Sequence, residues 1–322
     1  MYGMVNDCGH DAAANILHEG IRMAAEAEFT QFKGEKIQML VLIRGAGDIA
    51  SGIALRLYRA GMDVVMTEIP HPTAIRRTVC FSEALRLESE IRVEDVAAVP
   101  VLRKPADKRN REKLREQVFS ILGSRKIAVI EDPDASSKEW LQPDALVDAI
   151  LAKKNLGTGI TDAPAVIAVG PGFTAGLDCH AVIETKRGHT LGRVIYEGTA
   201  IPNTGVPGNI GGYTTERVLR APAAGIFHTV RKIGDHVEAG DTAAYVEQPD
   251  GSRVPLCCHI GGVLRGLLPD GTPVEMDMKS GDVDPRDVGK NCYTASDKAL
   301  AVGGGVLEAV LNLTGKLRMS RG

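Results

Sequence analysis

Residues 40–52 read Leu-Val-Leu-Ile-Arg-Gly-Ala-Gly-Asp-Ile-Ala-Ser-Gly (LVLIRGAGDIASG), an apolar run that breaks at a glycine-rich turn and continues into a helix-forming stretch. Gly45, Gly47 and Ala50 fit the spacing G-x-G-x-x-G/A. In that pattern the first glycine permits a tight turn and the second lets backbone approach a pyrophosphate. The small third residue lets helix and strand pack closely. The helix N-terminus adds free N–H groups and the positive end of a dipole. Glu68 closes the next apolar run, 21 residues beyond Gly47, close to the ~20 expected of a ribose-binding acid. Glycines also serve strand–helix packing alone, so the turn has two readings. Asp48 is unfavourable beside a phosphate unless it caps the helix, and Arg44 partly offsets it.

Working outward, apolar strands alternate with helical patterns. "DIASGIALRLYRAG" reads as a helix ending at Gly61, "DVVMTE" as a strand and "TAIRRTVCFSEALRL" as a helix. "EIRVEDVAAVPVL" reads as a short strand pair, "ADKRNREKLREQVFSIL" as a charged helix with a solvated face, and "KIAVIED" as a strand. "PDALVDAILAKKN" reads as a helix and "PAVIAVGPG" as a strand. This alternation predicts a Rossmann-like parallel sheet with helices on both faces. Arg76 and Arg77 follow two prolines in "EIPHPTAIRRT" and form a positive cluster beside the expected crevice, suited to an oxyanion.

After about residue 180, glycines and short β-like runs dominate. "GIFHTVRKIGDHVEAGD" from Gly225 and "GVLRGLLPDGTPVEMDMKSGD" from Gly262 repeat one hairpin unit 37 residues apart. The arrangement resembles lipoyl/biotinyl barrel-sandwich domains, but the turn "QPDGSR" has no Lys to carry a swinging arm. The expected organisation is an N-terminal appendage (1–36), a Rossmann-like nucleotide-binding domain (37–200), a barrel-sandwich β domain (215–290) and a C-terminal helix (291–322). That helix is expected to follow a turn at Gly303, Gly304 and Gly305.

Composition narrows the function. The 322 residues carry a net charge of −3 and only 4% aromatics, which points away from nucleic acid. No apolar run reaches the ~18 residues of a membrane span, and the N-terminus lacks a signal-peptide pattern. The six cysteines have no CxxC spacing, as in a reduced, cytoplasmic protein.

"GPGFTAGLDCHAVIETKRGH" is the segment richest in chemistry. Gly170 and Gly172 end a strand and should face the crevice at the strand carboxyl ends. Cys179 beside His180 is a candidate thiolate, the form that attacks carbon or binds soft partners; an ordinary buried Cys is the alternative. His189 and Arg193 suit an anion or a plain surface strand. The glycines from Asn203 to Gly212 suit an anion-binding nest or a linker. Cys257, Cys258 and His259 read as barrel packing, and Cys292 as a second thiol. The expected ligand-binding set is Gly45, Gly47, Asp48, Ala50, Glu68, Arg76, Arg77, Gly170 and Gly172, with Cys179 and His180 as catalytic candidates and no metal site.

The motifs "IRGAGDIASGIALRLYRAG", "VVMTEIPHPTAIRRTVCFSEA", "GPGFTAGLDCHAVIETKRGHTLGRVI", "PNTGVPGNIGGYTTERVLRAP" and "SDKALAVGGGVLEA" together resemble the YqeB family over residues 38–312. Its Rossmann part is more distantly similar to XdhC-type chaperones. The resemblance implies an accessory or maturation role for a selenium-dependent molybdenum hydroxylase. The partners would be the apo-hydroxylase and a small nucleotide ligand, the molybdenum cofactor dinucleotide or NAD(P). The rival expectations are an NAD(P)-dependent oxidoreductase and a non-catalytic partner-binding scaffold.

Overall fold

The structure, a computed structural model, describes residues 39–102 and 111–315. The expected appendage at 1–36 lies outside these residues. From Met39 onward the chain forms one compact unit.

The first part of the unit contains β1 (Leu40–Arg44), α1 (Asp48–Arg59), β2 (Asp63–Glu68), α2 (Glu83–Leu87), β3 (Ile91–Val93), β4 (Val96–Val101), α3 (Arg111–Gly123), β5 (Ile127–Glu131), α4 (Lys138–Leu141), β6 (Ala145–Asp148), β7 (Ala165–Val169), β8 (Thr174–Ala175), β9 (Ala181–Ile183), β10 (Val194–Ile195) and β11 (Gly198–Thr199). Nine of these strands form one sheet in the order β10-β9-β7-β6-β1-β2-β5-β4-β3. Neighbours from β9 across to β4 run parallel, while β3 and β10 pair antiparallel at the two edges.

Alternate side chains of each central strand enter opposite cores, as the two-residue period of a strand dictates. Val41 and Ile43 join one core with residues of α1 and of the C-terminal helix α5 (Asp297–Thr314). Leu42 joins the other with Leu114, Val118 and Ile121 of α3. Each fully buried side chain of this kind contributes about 1.5–3 kcal/mol.

The second part adds β12 (Val218–Arg220), β13 (Gly225–Thr229), β14 (His236–Val237), β15 (Thr242–Glu247), β16 (Arg253–Cys257), β17 (Gly262–Leu267), β18 (Thr272–Val274), β19 (Lys279–Asp284) and α5 (Asp297–Thr314). Two four-stranded antiparallel sheets result, β12-β19-β17-β14 and β16-β15-β13-β18. The sequence repeat is visible in the pairing. The middle strand of each copy pairs with the first strand of the other, β14 with β17 and β18 with β13. Gly225 and Gly262 open the two copies at φ +154° and +143°. A Cβ there would stand 2.2 Å from the Glu247 carbonyl oxygen and 2.4 Å from that of Asp284, so each position requires glycine.

The expected Rossmann-like parallel sheet joined to a barrel-sandwich domain is corrected by this topology. The large sheet is mixed, and the β region is two separate antiparallel sheets within one compact unit. The helix expected in "PDALVDAILAKKN" is also absent. Ala145–Asp148 is a central strand and a loop follows it. Ala145 and Val147 enter one core and Leu146 the other. A run buried on both sides cannot be told from a helix by periodicity. The expected turn at Gly303–Gly305 is likewise helical, within α5. Gly303 and Gly305 are glycine because neighbouring backbone comes too close for a side chain, whereas a Cβ on Gly304 would meet nothing within 4 Å. A Cβ on Gly303 would meet the Gly52 carbonyl oxygen at 2.9 Å, and one on Gly305 would meet the Gly192 carbonyl oxygen at 2.0 Å.

Candidate functional site

The glycine turn connects β1 to α1 with the two glycines in different roles. Gly45 adopts φ +101°, and a Cβ there would lie 3.1 Å from the Ala149 carbonyl oxygen. It is required by the backbone and by packing against the β6 exit. Gly47 has an ordinary φ of −74°, and a Cβ there would meet nothing within 4 Å. It leaves open space at the start of a 12-residue helix, whose first N–H groups have no intrahelical acceptor. Ala50 is buried beneath the turn.

Glu68 braces the turn. Its Oε2 accepts the Ala46 N–H at 2.9 Å and its Oε1 accepts the Ile69 N–H at 2.8 Å. Burial pushes its carboxyl above the ordinary range, against those two hydrogen bonds. Both oxygens are thus engaged where the sequence expectation has a ribose acceptor. Arg44 does not offset Asp48. It is buried and turns to Asp148, Thr158 and the Leu156 carbonyl. Asp48 is instead gripped by Arg76, whose Nη1 reaches both carboxylate oxygens at 3.0 Å. Arg76 also donates to the carbonyls of Asn291 and Thr294, tying the turn to the entry of α5. Arg77 points elsewhere, donating from Nε to the Leu267 carbonyl at 2.8 Å.

A cleft of about 870 Å³ opens beside this turn, at the carboxyl ends of the parallel strands where ligands of such sheets bind. Gly45, Gly47, Asp48, Glu68 and Arg76 of the expected set line it. Gly170 and Gly172 stand behind its wall with Pro171 facing in. A Cβ on Gly172 would lie 2.7 Å from Lys154 backbone, which explains that glycine by packing. The segment from Asn203 to Gly208 forms another wall. The opposite side comes from the β region and α5, through Arg217, Arg220, Arg265, Lys279, Asp282 and Lys298.

The electrostatics of the cleft follow one rule: arginines occupy its aspartates. Arg76 holds Asp48. Arg217 and Arg265 hold Asp282 from two sides, the latter with Nη2 at 2.6 Å. Arg187 clamps Asp297 at the mouth, at 2.7 and 3.0 Å, and that hydrogen bond holds the Asp297 carboxyl down at about 2. Planar guanidinium groups suit such two-point pairing. Lys153, Lys186, Lys279 and Lys298 also line the cleft, and none of their ammonium groups makes a hydrogen bond or ion pair with a described residue. The ammonium groups of Lys153, Lys279 and Lys298 lose hydration to the walls, and this pushes these three below the ordinary lysine value. Neighbouring cations add to the effect: Lys279 on Lys153, Arg217 and Arg265 on Lys279, and Lys153 and Arg187 on Lys298, while Asp282 opposes it at Lys279 and Asp48 at Lys298. Sequence reading missed this cluster because its lysines come from separate segments of the chain; only the fold brings them together.

The expected catalytic pair does not form. Cys179 is fully buried in the apolar core with Phe173 and Ala175. Burial, with Asp178 nearby, pushes its thiol up to about 12, the opposite of the expected thiolate. His180 uses Nδ1 to accept the Val166 N–H at 3.0 Å. Cys292 is buried and its thiol raised by burial, while His189 and Arg193 are exposed outside the cleft. Among the described residues no group of three or more His, Cys, Asp or Glu is placed to hold a metal ion, and no helix is long and apolar enough to cross a membrane.

No family model matches the chain. It is 52% identical over 274 residues to "Uncharacterized protein YqeB" of Escherichia coli (strain K12), a match covering 85% of this chain and 48% of that protein. The chain thus spans about half the length of the curated relative it matches. Solved structures similar to it include the succinylglutamate desuccinylase/aspartoacylase of Rhodobacter sphaeroides (14% identity, 76% of this chain and 85% of that one, TM-score 0.24). An aspartoacylase family protein of Mesorhizobium loti MAFF303099 is another (12%, 76% and 85%, TM-score 0.26). Likenesses this slight bring neither fold nor activity to the chain. The expected molybdenum-hydroxylase maturation role is corrected by these findings, together with its selenium and XdhC-like connections. The relative's name assigns no activity.

Proposed function

We propose that this chain binds a small polyanionic metabolite, bearing phosphate or several carboxylates, in the cleft at the carboxyl ends of its central strands. One observation carries the reading: arginines neutralise the aspartates of the cleft, and the side chains of Lys153, Lys186, Lys279 and Lys298 are left facing it without a described partner. Such a cluster is costly in the free protein, because like charges and lost hydration both oppose it. An anion removes that cost. The open space at Gly47 and the unsatisfied N–H groups at the start of α1 favour a negatively charged group on the same side.

Calorimetric titration with pyrophosphate and with citrate tests the reading. Binding of at least one is expected, weakened by salt. Lys153→Ala and Lys279→Ala should each cost about 1–2 kcal/mol, roughly five- to thirtyfold in affinity. Absence of binding by both anions at low salt, or binding unchanged in both variants, overturns it.

A further inference from the structure

We propose that Lys298 forms an imine with the carbonyl carbon of an anionic aldehyde or ketone held in the cleft. The inference deepens the anion-binding reading and rests on it.

Lys298 differs from the other lysines of the cleft in placement. It is the second residue of α5, an 18-residue helix capped by the Ser296 hydroxyl, so its stem rises from a rigid element. Ala299 beside it packs against Gly52 of α1, which fixes that end of the helix on the cleft. Lys298 is partly buried, whereas Lys153 and Lys279 are exposed. The nearest carboxylate in sequence, Asp297, is already clamped by Arg187, and Asp48 by Arg76. Asp48 still favours the ammonium form of Lys298 from a distance, but burial and the neighbouring cations outweigh it. The positive end of α5 also disfavours its charge, as do burial and the neighbouring Lys153 and Arg187. A lysine desolvated beside other cations is the kind that acts as a nucleophile. Lys153 and Lys279 remain to bind the anionic group of the same molecule.

The chemistry is self-contained. Lys298 first releases a proton to solvent through the open cleft. The Nζ lone pair then attacks the carbonyl carbon, and the carbonyl π electrons pass to oxygen. That oxygen takes a proton from nitrogen to give the carbinolamine. Loss of the hydroxyl with the second nitrogen proton, as water, leaves the C=N bond. No oxidant or reductant is required.

Pyridoxal 5′-phosphate, a phosphorylated aldehyde, is the probe. The full-length protein is incubated with it and reduced with borohydride, and its peptides are mapped by mass spectrometry. The expected result is one saturable adduct on Lys298, formed several-fold faster than on Lys232, which is exposed and outside the cleft, and suppressed by pyrophosphate. Lys298→Arg keeps the charge, so it should still titrate with pyrophosphate while giving no adduct in the cleft. Adducts spread evenly over the lysines, or undiminished trapping in the Arg variant, overturn the proposal. Pyrophosphate binding without any adduct sinks the imine alone. Failure of pyrophosphate and citrate to bind sinks the cleft reading and the imine with it.

Discussion

Gly52 of α1 and Ala299 of α5 meet so closely that a Cβ on Gly52 would stand 2.5 Å from the Ala299 Cβ. Gly303, one turn on, lies against Ile53 and Arg56, so the two helices run in the same direction with their N-termini together at the cleft. Like-directed dipoles side by side repel, and both positive ends then face whatever the cleft holds. Gly52→Ala should therefore destabilise the protein, by about 1–3 kcal/mol, because the added methyl has nowhere to go. Ala299→Gly should recover part of that loss, since the two sites share one contact. Thermal melts of the two single variants and the double variant measure the coupling. Simple additivity would show that the contact is not what sets the helix spacing.

The two glycines of the turn should separate cleanly. Gly45→Ala forces a side chain into a positive-φ position against the Ala149 backbone and should cost roughly 1–3 kcal/mol of stability. Gly47→Ala meets neither obstacle and should melt within about 0.5 kcal/mol of the parent. Its methyl occupies the space at the start of α1, so anion affinity should fall. A Gly47→Ala protein that melts normally and binds citrate as tightly as the parent would assign the second glycine to the turn alone.

These residues show where sequence reading succeeds and where it stops. The strand–turn–helix at 40–52 was legible because an apolar run, two glycines and a helical pattern are local signals. The hairpin repeat was legible because Gly225 and Gly262 are each forced by a neighbouring carbonyl. Strand β6 was not, because burial on both faces erases its alternation. The strand pair β3 and β4 was read from "EIRVEDVAAVPVL", but the edge strand β10, which is only two residues long, was not. At the site, Asp48 and Arg76 were singled out separately, but their pairing needed the fold. Lys153, Lys279 and Lys298 carry no local signal at all; 126 residues separate the first from the second.

Cysteine reactivity should invert the expectation drawn from the Cys-His pair. Of the five described cysteines, Cys257 alone is not buried. Cys179 sits in the core with its thiol pushed up to about 12, and Cys258 is pushed up to about 11. Thiolate is the form that alkylates. Under native conditions at neutral pH, iodoacetamide should label Cys257 first among these five and leave Cys179 until the protein unfolds. A time course of peptide masses in which Cys179 leads would mean that this part of the core opens readily.

The lysine cluster makes anion binding pH-dependent in a direction fixed by its charges. In the free protein, Lys153, Lys279 and Lys298 lie below the ordinary value of 10.5, so they begin to lose protons sooner than lysines outside the cleft. Each lowered value means that the unfolded chain binds more protons there than the folded one. The contribution of these groups to the stability of the free protein therefore rises with pH up to about 10.5 and is lost as pH falls through the lowered values. An anion reverses the sign. It favours the ammonium forms and raises their values, so binding takes up protons. Citrate serves as the probe because its carboxylates stay ionised throughout this range. Its affinity should decline from neutral pH toward 10, with proton uptake visible as a dependence of the calorimetric heat on buffer ionisation enthalpy. The stabilisation it gives in thermal melts should shrink in step, since it depends on the logarithm of the ligand concentration over Kd. Lys279→Ala should flatten the profile. An affinity independent of pH across this window, or a heat independent of buffer, would show that the lysines do not meet the ligand.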